Sequence, residues 1–512
     1  MGDVGESHRG HPRSLAKAIA GALLLAGCFA DNGPGATGAS TDTASDETDG
    51  ETTVGSSSTT TSTTTDTSDS DATTTTTDPT TSTTAPTSDD SSTTATSTTT
   101  EPCPEGHPGC PCEPRPPECL EGLMCEGGVC VLAPACGDGF PEGDEQCDDG
   151  NQIQGDGCNN DCAPSGTLTW QEEVDGARAH DVAVADDGSI YVVGQRGENK
   201  QSNAWIAEFT PEGDIVWEDV LDFFGDEDIA YGIDITAEGD LVFVGLISSG
   251  LLGQARGFVY KYSADGVAKW NNPTTFGNNF ETGYLTDVTV ADSGTIYAAG
   301  VYITQGGTRA MFARINSGGG GFSESIDSGT QGFNNAIAVA DATRYVTCGH
   351  RIGNTLAAVR TWDSQSLNHL ETLTIGAGQT TSSGCVLDAN DILLVSVYIP
   401  DQEAHTLARV SLKEPLSLLD STPLPDAQAT GLVYDPTTFH VIASGRSSGD
   451  IWLRRADPLD YGGEPFWMLS LADDTEAVDH AQALTLTPEG DIVSVGWIDD
   501  ADPRAWIGRF TP

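Results

Sequence analysis

The chain is poor in basic residues and has no long apolar run near its start. It carries 22 Lys and Arg against 77 Asp and Glu, which gives a formal net charge of −55 and a pI near 4.1. This balance argues against nucleic-acid binding, which needs a basic face, and against electrostatic docking to anionic lipids. The apolar stretch Ala18 to Ala26 is too short to span a bilayer as a permanent helix.

Catalytic signatures are also missing. The sequence has no HExxH motif, Walker loop or dinucleotide fingerprint, and its nine histidines follow no metal-ligand spacing. His180 and His480, with Asp181 and Asp479 beside them, are the best candidates for metal or acid–base chemistry, because they would be neighbours if the repeat domain closed on itself. We assign no catalytic residue; the sequence favours a protein without catalytic activity but leaves an enzyme open as the alternative.

A repeat of about 50 residues dominates the C-terminal part of the chain. Each copy ends in an apolar strand and usually a glycine, and the anchors are Gly194, Gly245, Gly300, Gly349, Val397, Gly445 and Gly496. Each copy reads as a hairpin of Val/Ile/Leu runs around a turn, followed by two further strands. Seven copies of four short strands predict an all-β, seven-bladed β-propeller. It resembles the tandem-repeat propellers of bacterial exported proteins, a likeness that implies fold more than function.

The ends of the repeat region predict how the ring closes. The last copy stops after its third strand at Pro512, whereas TLTWQEEV from Thr167 is similar to the fourth-strand segment DIVWEDV. We therefore expect the first strand of the domain to complete the last blade and leave no free sheet edge there.

The N-terminus has the pattern of an export signal. Arg9, Arg13 and Lys17 precede the apolar run, and Leu25-Ala26-Gly27-Cys28 follows it. These four residues resemble the lipobox of bacterial lipoproteins; the alternative is an ordinary signal with an incidental cysteine. The resemblance implies cleavage before Cys28 and a covalent lipid on its sulfur, hence a firm membrane anchor. Phe29 in place of Asp favours the outer membrane and a surface-exposed envelope protein.

Residues 28–102 follow the signal of residues 1–27 and have almost nothing to bury. They consist mainly of Thr, Ser, Asp, Gly and Pro, with 13 acidic residues between Asp31 and Glu101. Such a segment cannot offset its ordering entropy by burial, so we predict a disordered stalk.

Six cysteines within residues 103–134 predict a small disulfide-stapled module. They are Cys103, Cys110, Cys112, Cys119, Cys125 and Cys130. So short a segment cannot build a hydrophobic core, and fifteen pairings are open. A zinc site is the alternative, with only His107 nearby.

A second module is predicted at residues 135–165, before the propeller at 166–512. Its segment CGDGFPEGDEQCDDGNQIQGDGCNNDC contains Cys136, Cys147, Cys158 and Cys162. It resembles the Myxococcus-type cysteine-rich repeat of exported bacterial proteins, which implies two disulfides. Its oxygen donors are either calcium ligands or caps of tight turns, and their spacing is not that of an EF-hand; they are Asp148, Asp149, Asn151 and Asp156.

Two further cysteines, Cys348 and Cys385, fall in consecutive blades. We expect two buried thiols there, with an inter-blade disulfide as the alternative.

Two polar regularities run through the repeats. The first begins each innermost strand and could border the channel mouth as a ligand ring, although polar side chains facing channel water are the simpler expectation; its members are His180, Tyr231, Thr286, Asn335, Ser383, Thr430 and Gln482. The second lies near the end of the third strand, where we expect each cation to pair with a neighbouring acid; its members are Lys261, Arg314, Arg360, Arg409, Arg455 and Arg509.

Together these observations predict a lipid-anchored envelope protein that binds or adheres to a glycan, a peptide or an envelope protein. A propeller-fold enzyme, such as a lyase or glycan hydrolase, and a purely structural scaffold remain as alternatives.

Overall fold

The computed structural model describes residues 123–126, 129–132, 136–141, 143, 145–197, 201–223, 227–249, 254–276, 282–327, 331–352, 355–400, 404–424, 427–471, 478–499 and 502–512. The predicted signal, the predicted lipidation site Cys28, the predicted stalk and most of the six-cysteine module lie outside these residues. Within that module, strands β1 (Leu123–Glu126) and β2 (Val129–Leu132) form an antiparallel hairpin in which Cys125 is paired with Cys130 in register. Cys130 is buried and disulfide-bonded.

The fold of residues 168–510 is a seven-bladed β-propeller, as the repeats predict, and each blade is one four-stranded antiparallel sheet. Blade one contains β4 (Ala177–Val184), β5 (Ile190–Arg196), β6 (Asn203–Phe209) and β7 (Ile215–Leu221). Blade two contains β8 (Asp228–Ile235), β9 (Leu241–Ser249), β10 (Gln254–Tyr262) and β11 (Thr274–Phe276). Blade three contains β12 (Thr282–Val290), β13 (Ile296–Thr304), β14 (Gly307–Ile315) and β15 (Ser323–Ile326).

The remaining blades repeat this order. Blade four contains β16 (Gly332–Val339), β17 (Arg344–Arg351), β18 (Leu356–Asp363) and β19 (His369–Ile375). Blade five contains β20 (Thr381–Leu387), β21 (Ile392–Ile399), β22 (Ala404–Ser411) and β23 (Ser417–Leu424). Blade six contains β24 (Gln428–Asp435), β25 (His440–Ser447), β26 (Asp450–Ala456) and β27 (Trp467–Leu471). Blade seven contains β28 (Val478–Leu486), β29 (Ile492–Asp499), β30 (Arg504–Phe510) and β3 (Leu168–Asp175).

The predicted closure is confirmed, because β3 pairs antiparallel with β30 as the fourth strand of blade seven. Side chains support this pairing: the Trp506 indole N–H donates to Gln171 Oε1 at 3.1 Å. Blade seven also packs on blade one through a shared apolar cluster that includes Val182, Val192 and Val493. The first and last strands of the propeller thus hold the ring together.

Each first strand carries a β-bulge at the same place. The register shifts at seven residues that oppose no partner on the second strand, namely His180, Tyr231, Thr286, Asn335, Ser383, Thr430 and Gln482. The anchor glycine lies opposite the residue before the bulge. At Gly245 an added Cβ would overlap the carbonyl oxygen of Ile229, so this anchor requires glycine, whereas blade five has Val397 at the equivalent position.

The structure corrects the expectation for Cys348 and Cys385. They form a disulfide between β17 of blade four and β20 of blade five, with a Cα–Cα distance of 6.2 Å, within the usual range of about 4.4–6.8 Å. Both residues are fully buried in one apolar cluster. The sequence places them in adjacent blades but does not reveal that their side chains face each other across the blade interface.

Candidate functional site

The two ends of the propeller differ in how the chain uses them. We call the end at which the first strands begin the first-strand face, and the end with the turns between first and second strands the turn face. The tight turns need backbone freedom, as at Gly239 with a φ of 85°. The cysteine module, Cys136–Cys162, is attached to the turn face.

The cysteine module is held by two disulfides, Cys136–Cys162 and Cys147–Cys158. It reaches the propeller at the ends of β30 and β26. The N–H of Gly166 donates to the carbonyl of Pro512 at 3.1 Å, and Thr511 Oγ1 donates to the carbonyl of Pro164 at 3.0 Å. Gly155 packs directly on the guanidinium of Arg455. Hydrogen bonds and close packing thus fix the module to blades six and seven.

The predicted calcium donors mainly organise turns. The Asp148 carboxylate accepts four backbone N–H groups, from Gly137, Asp138, Gly139 and Gly150, at 2.8 to 3.1 Å. Burial opposes ionisation, but these hydrogen bonds lower the pKa of Asp148 overall. Among the described residues, the group closest to a metal-binding geometry is Glu145, Asp148 and Cys162, and Cys162 is in a disulfide.

The other three donors lie together beside this turn. The Asn151 amide donates to Asp156 Oδ2 at 3.1 Å. Burial raises the pKa of Asp156, and the nearby Asp149 carboxylate raises it further. Asp149 also accepts the N–H of Asn151 at 3.3 Å. Calcium binding by this loop stays a prediction that these contacts do not test.

The predicted cation–acid pairing in the third strands is present in five of the six blades. The N–O distances are 3.0 Å for Lys261–Asp240, 3.1 Å for Arg360–Asp327, 2.8 Å for Arg409–Asp420, 2.5 Å for Arg455–Asp435 and 2.7 Å for Arg509–Asp491. Arg314 instead donates to the carbonyls of Ser364 and Gln365.

Arg360 is shifted by one residue along its strand relative to the other cations. It pairs with Thr347, two residues before the anchor of its blade. The other cations pair with the residue three before the anchor, as Lys261 does with Val242. Because side chains alternate along a strand, Arg360 points to the other side of its blade. There it is fully buried and bonds to Asp327 and to the carbonyl of Phe333.

The bulge residues mainly contact neighbouring blades, and ligand binding by them stays a prediction. Four of them donate to a backbone carbonyl of the next blade: Thr286 to Asn334, Asn335 to Ser382, Ser383 to Ala429 and Thr430 to Ala481. Tyr231, Thr286, Asn335, Ser383 and Gln482 are buried. Their polarity joins neighbouring blades, which the sequence pattern alone could not distinguish from ligand binding.

His180 and His480 both contact the ring of Trp497, which lies between them in these contacts. The Trp497 ring stacks on His480 with centroids 4.7 Å apart and meets His180 edge-on at 5.6 Å. Burial, followed by the charge of Arg446, lowers the pKa of His480 to about 4, and burial lowers that of His180 to about 4. Both imidazoles are therefore neutral at pH 7.

The carboxylate beside His180 is already engaged. Asp181 is buried, and its two oxygens accept the N–H groups of Val182 and, from the next blade, Ile233, each at 2.8 Å. Asp287 bonds in the same way to Ile337 of blade four. Asp181 therefore connects blades one and two, and the geometry does not favour an acid–base pair with His180.

The residues that border the first-strand face are the cross-strand pairs whose first-strand member lies two residues before each bulge. We call them the mouth pairs: Arg178/Gln195, Ile229/Leu246, Tyr284/Val301, Phe333/His350, Thr381/Tyr398, Gln428/Arg446 and His480/Trp497. The sequence analysis included only His480 among them. Each second member directly follows a repeat anchor, and this position could have been read from the alignment.

The mouth pairs repeat in position but not in chemistry. Blades two and three contribute buried apolar and tyrosine side chains. Blades five, six, seven and one contribute hydroxyl, amide, imidazole and guanidinium groups, most of them half-buried. Ring contacts continue along this face, with Phe333 stacked on His350 at 4.6 Å and Tyr398 tilted against His405 at 4.8 Å. One side of the mouth is thus apolar and the other polar.

Comparison with known proteins identifies one small module. Residues 118–163 match DUF4215, a domain of unknown function. No curated protein matches the chain. Among the described residues, there is no helix with the length and hydropathy needed to cross a membrane.

Solved propellers resemble the chain only in fold. A protein of unknown function from Dyadobacter fermentans is 12% identical, with a TM-score of 0.39 over 68% of this chain and 99% of the other. Chaetomium thermophilum Sqt1, bound to the N-terminus of ribosomal protein L10, is 12% identical, with a TM-score of 0.43 over 68% of this chain and all of the other. A prolyl endopeptidase is 11% identical, with a TM-score of 0.40 over 64% of this chain and 46% of the other.

Proposed function

We propose that this protein is a lipid-anchored envelope protein whose propeller binds a ligand at the first-strand face. The observation that carries the proposal is the set of mouth pairs. Residues at most other repeated positions have a similar structural role in every blade. The residues of the mouth pairs instead differ in chemical character from blade to blade. Different side chains on a repeated frame give one face a specific combination of apolar and hydrogen-bonding groups, as a binding site requires.

The attachment of the cysteine module supports this choice of face. The module occupies part of the turn face beside blades six and seven. The predicted stalk precedes the module in the chain, so the tethered segment joins the propeller on the side away from the mouth pairs.

The anchor is supported by the lipobox-like Leu25-Ala26-Gly27-Cys28 directly after the apolar run. We expect mass spectrometry of the membrane fraction to find Cys28 acylated at the new N-terminus, and Cys28→Ser to release the protein from membranes. An unacylated Cys28 in the membrane-bound protein would remove the anchor from this proposal.

A panel of glycans, peptides and envelope components tests the binding function. The full-length chain carrying Cys28→Ser is compared with the same chain carrying Tyr398→Ala or His480→Ala at the mouth. Phe439→Ala is the matched control, because this aromatic residue is exposed near the turn face. We expect the mouth variants to lose binding and the control to keep it.

Two results would oppose the proposal. Binding that survives both mouth variants but not Phe439→Ala would assign the ligand to the turn face. No binding to any component by folded protein would favour the scaffold alternative.

A further inference from the structure

Arg446 is a half-buried cation in the mouth without a carboxylate partner among the described residues. Its Nε donates to Gln428 Oε1 at 2.7 Å. The other arginine of the mouth pairs, Arg178, is paired with Asp499 at 2.7 Å. Arg446 thus has a neutral hydrogen-bond partner in a chain with 77 acidic residues.

The surroundings position this guanidinium and keep its charge uncompensated. Gln428 is itself held from blade five, because its amide donates to the Tyr398 hydroxyl at 3.4 Å. His405 and His480 lie close enough for the Arg446 charge to depress their ionisation, after burial as the larger cause. Arg446 therefore lies near neutral groups of blades five and seven, and its Nε is held by the Gln428 amide oxygen.

Polar atoms without a partner occur around the same mouth. Within the described part of the chain, His180 Nε2, Tyr231 Oη, His350 Nδ1 and Thr381 Oγ1 are buried and have no hydrogen-bond partner. His350 and Thr381 are mouth-pair residues. His180 and Tyr231 are bulge residues. Buried polar atoms are normally satisfied, so a ligand bound at this mouth could supply the partners that these four atoms lack.

We infer that Arg446 binds one carboxylate of a ligand whose remaining body is uncharged and partly apolar. The guanidinium can bind a carboxylate through two parallel N–H···O bonds. The uncharged body would pack on Phe333, a partly exposed aromatic residue of the blade-four mouth pair. A polyanion is disfavoured because the net charge of −55 repels it as a whole, whereas one carboxylate meets the local field of Arg446. This inference rests on the proposed function, since it names the ligand class for the same face.

Benzoate and its neutral analogue benzamide test this inference on the full-length chain carrying Cys28→Ser, by ligand-observed NMR titration. We expect saturable benzoate binding at millimolar concentration and at least about tenfold weaker binding of benzamide. Arg446→Gln should reduce benzoate binding to the benzamide level, and Arg446→Lys should retain part of it. Arg309→Gln, which removes a half-buried arginine on blade three of the same face, should leave benzoate binding unchanged.

The outcomes separate this inference from the broader function. Equal binding of benzoate and benzamide, or no saturable binding of benzoate by folded protein, would overturn the carboxylate assignment. An equal loss in Arg309→Gln would indicate general attraction of anions and would also overturn it. Polygalacturonate that binds more tightly than benzoate would contradict the single-carboxylate class. Panel ligands that bind through Tyr398 and His480 without any effect of Arg446→Gln would leave the function standing and remove this inference alone.

Discussion

Single histidines contribute to stability in a way that depends on pH. Burial lowers the pKa of His180, His350, His440 and His480 to about 4 and that of His405 to about 3. The unfolded chain binds protons below its ordinary histidine pKa of about 6.5, whereas the folded chain does so only near pH 4. The stabilising contribution is therefore complete above pH 6.5 and is lost as the pH falls toward 4.

We predict that the free energy of unfolding decreases steadily between pH 6.5 and pH 4. Each buried histidine with a lowered pKa adds up to about 1.4 kcal/mol per pH unit to the slope of the unfolding free energy against pH, and half-exposed histidines add less. Denaturant titrations across this range measure the slope, and His405→Asn, at the most buried of these positions, should make it shallower. A pH-independent midpoint from 7 to 5 would show that these imidazoles are not held neutral.

Residue roles could be predicted from the sequence only where position alone decides them. The alignment of His180 with Tyr231 and Thr286 is correct, since all three are bulge residues. Whether the side chains of these residues point toward the next blade depends on the geometry of the bulge, which cannot be predicted from the pattern of residue types. Arg360 was aligned with the other cations although it lies one strand position away, and that single step changes which side of the blade it faces.

At the scale of elements, carboxylates of the first strands join consecutive blades. Asp181, Asp234 and Asp287 each accept a backbone N–H from the blade that follows, from Ile233, Val290 and Ile337 at 2.7 to 2.8 Å. These contacts connect blades one to four in sequence. Blades four and five are joined instead by the Cys348–Cys385 disulfide. The sequence predicted the blades but not these links, because each link depends on two side chains or strands that meet only after folding.

We predict that Asp287→Ala destabilises the propeller by roughly 2–4 kcal/mol, because two buried N–H groups, those of Val288 and Ile337, would lose their acceptor. Asp292→Ala is the control, since this aspartate is exposed on the adjoining turn. Chemical denaturation of both variants gives the comparison, and equal stability of the two would show that the inter-blade bond is unimportant.

At the scale of the whole molecule, ring closure unites the start and the end of the propeller. The repeat count and the missing fourth strand were enough to predict that β3 completes blade seven. The docking of the cysteine module could not be predicted, because it depends on Gly155 and Gly166 fitting against Arg455 and Trp467. No sequence pattern relates these distant positions.

We predict that deleting residues Thr167–Val174 lowers the melting temperature markedly, because it exposes the edge of β30 and removes the pairing with blade seven. Thermal unfolding of the full-length and deleted chains measures the effect. The double substitution Trp170→Ala and Gln171→Ala provides a milder variant that keeps the backbone pairing. An unchanged melting temperature in the deleted chain would mean that the ring does not depend on this closure.

The claim that the first-strand face binds the ligand is tested most directly by site-specific photocrosslinking in the intact envelope. A photoreactive phenylalanine analogue replaces Tyr398 at the mouth or Phe439 near the turn face, and irradiation captures whatever lies against each position. We predict a discrete crosslinked product from position 398 that disappears with His480→Ala, and none from position 439. A product from position 439 alone, or a product from position 398 that persists with His480→Ala, would contradict binding at the mouth.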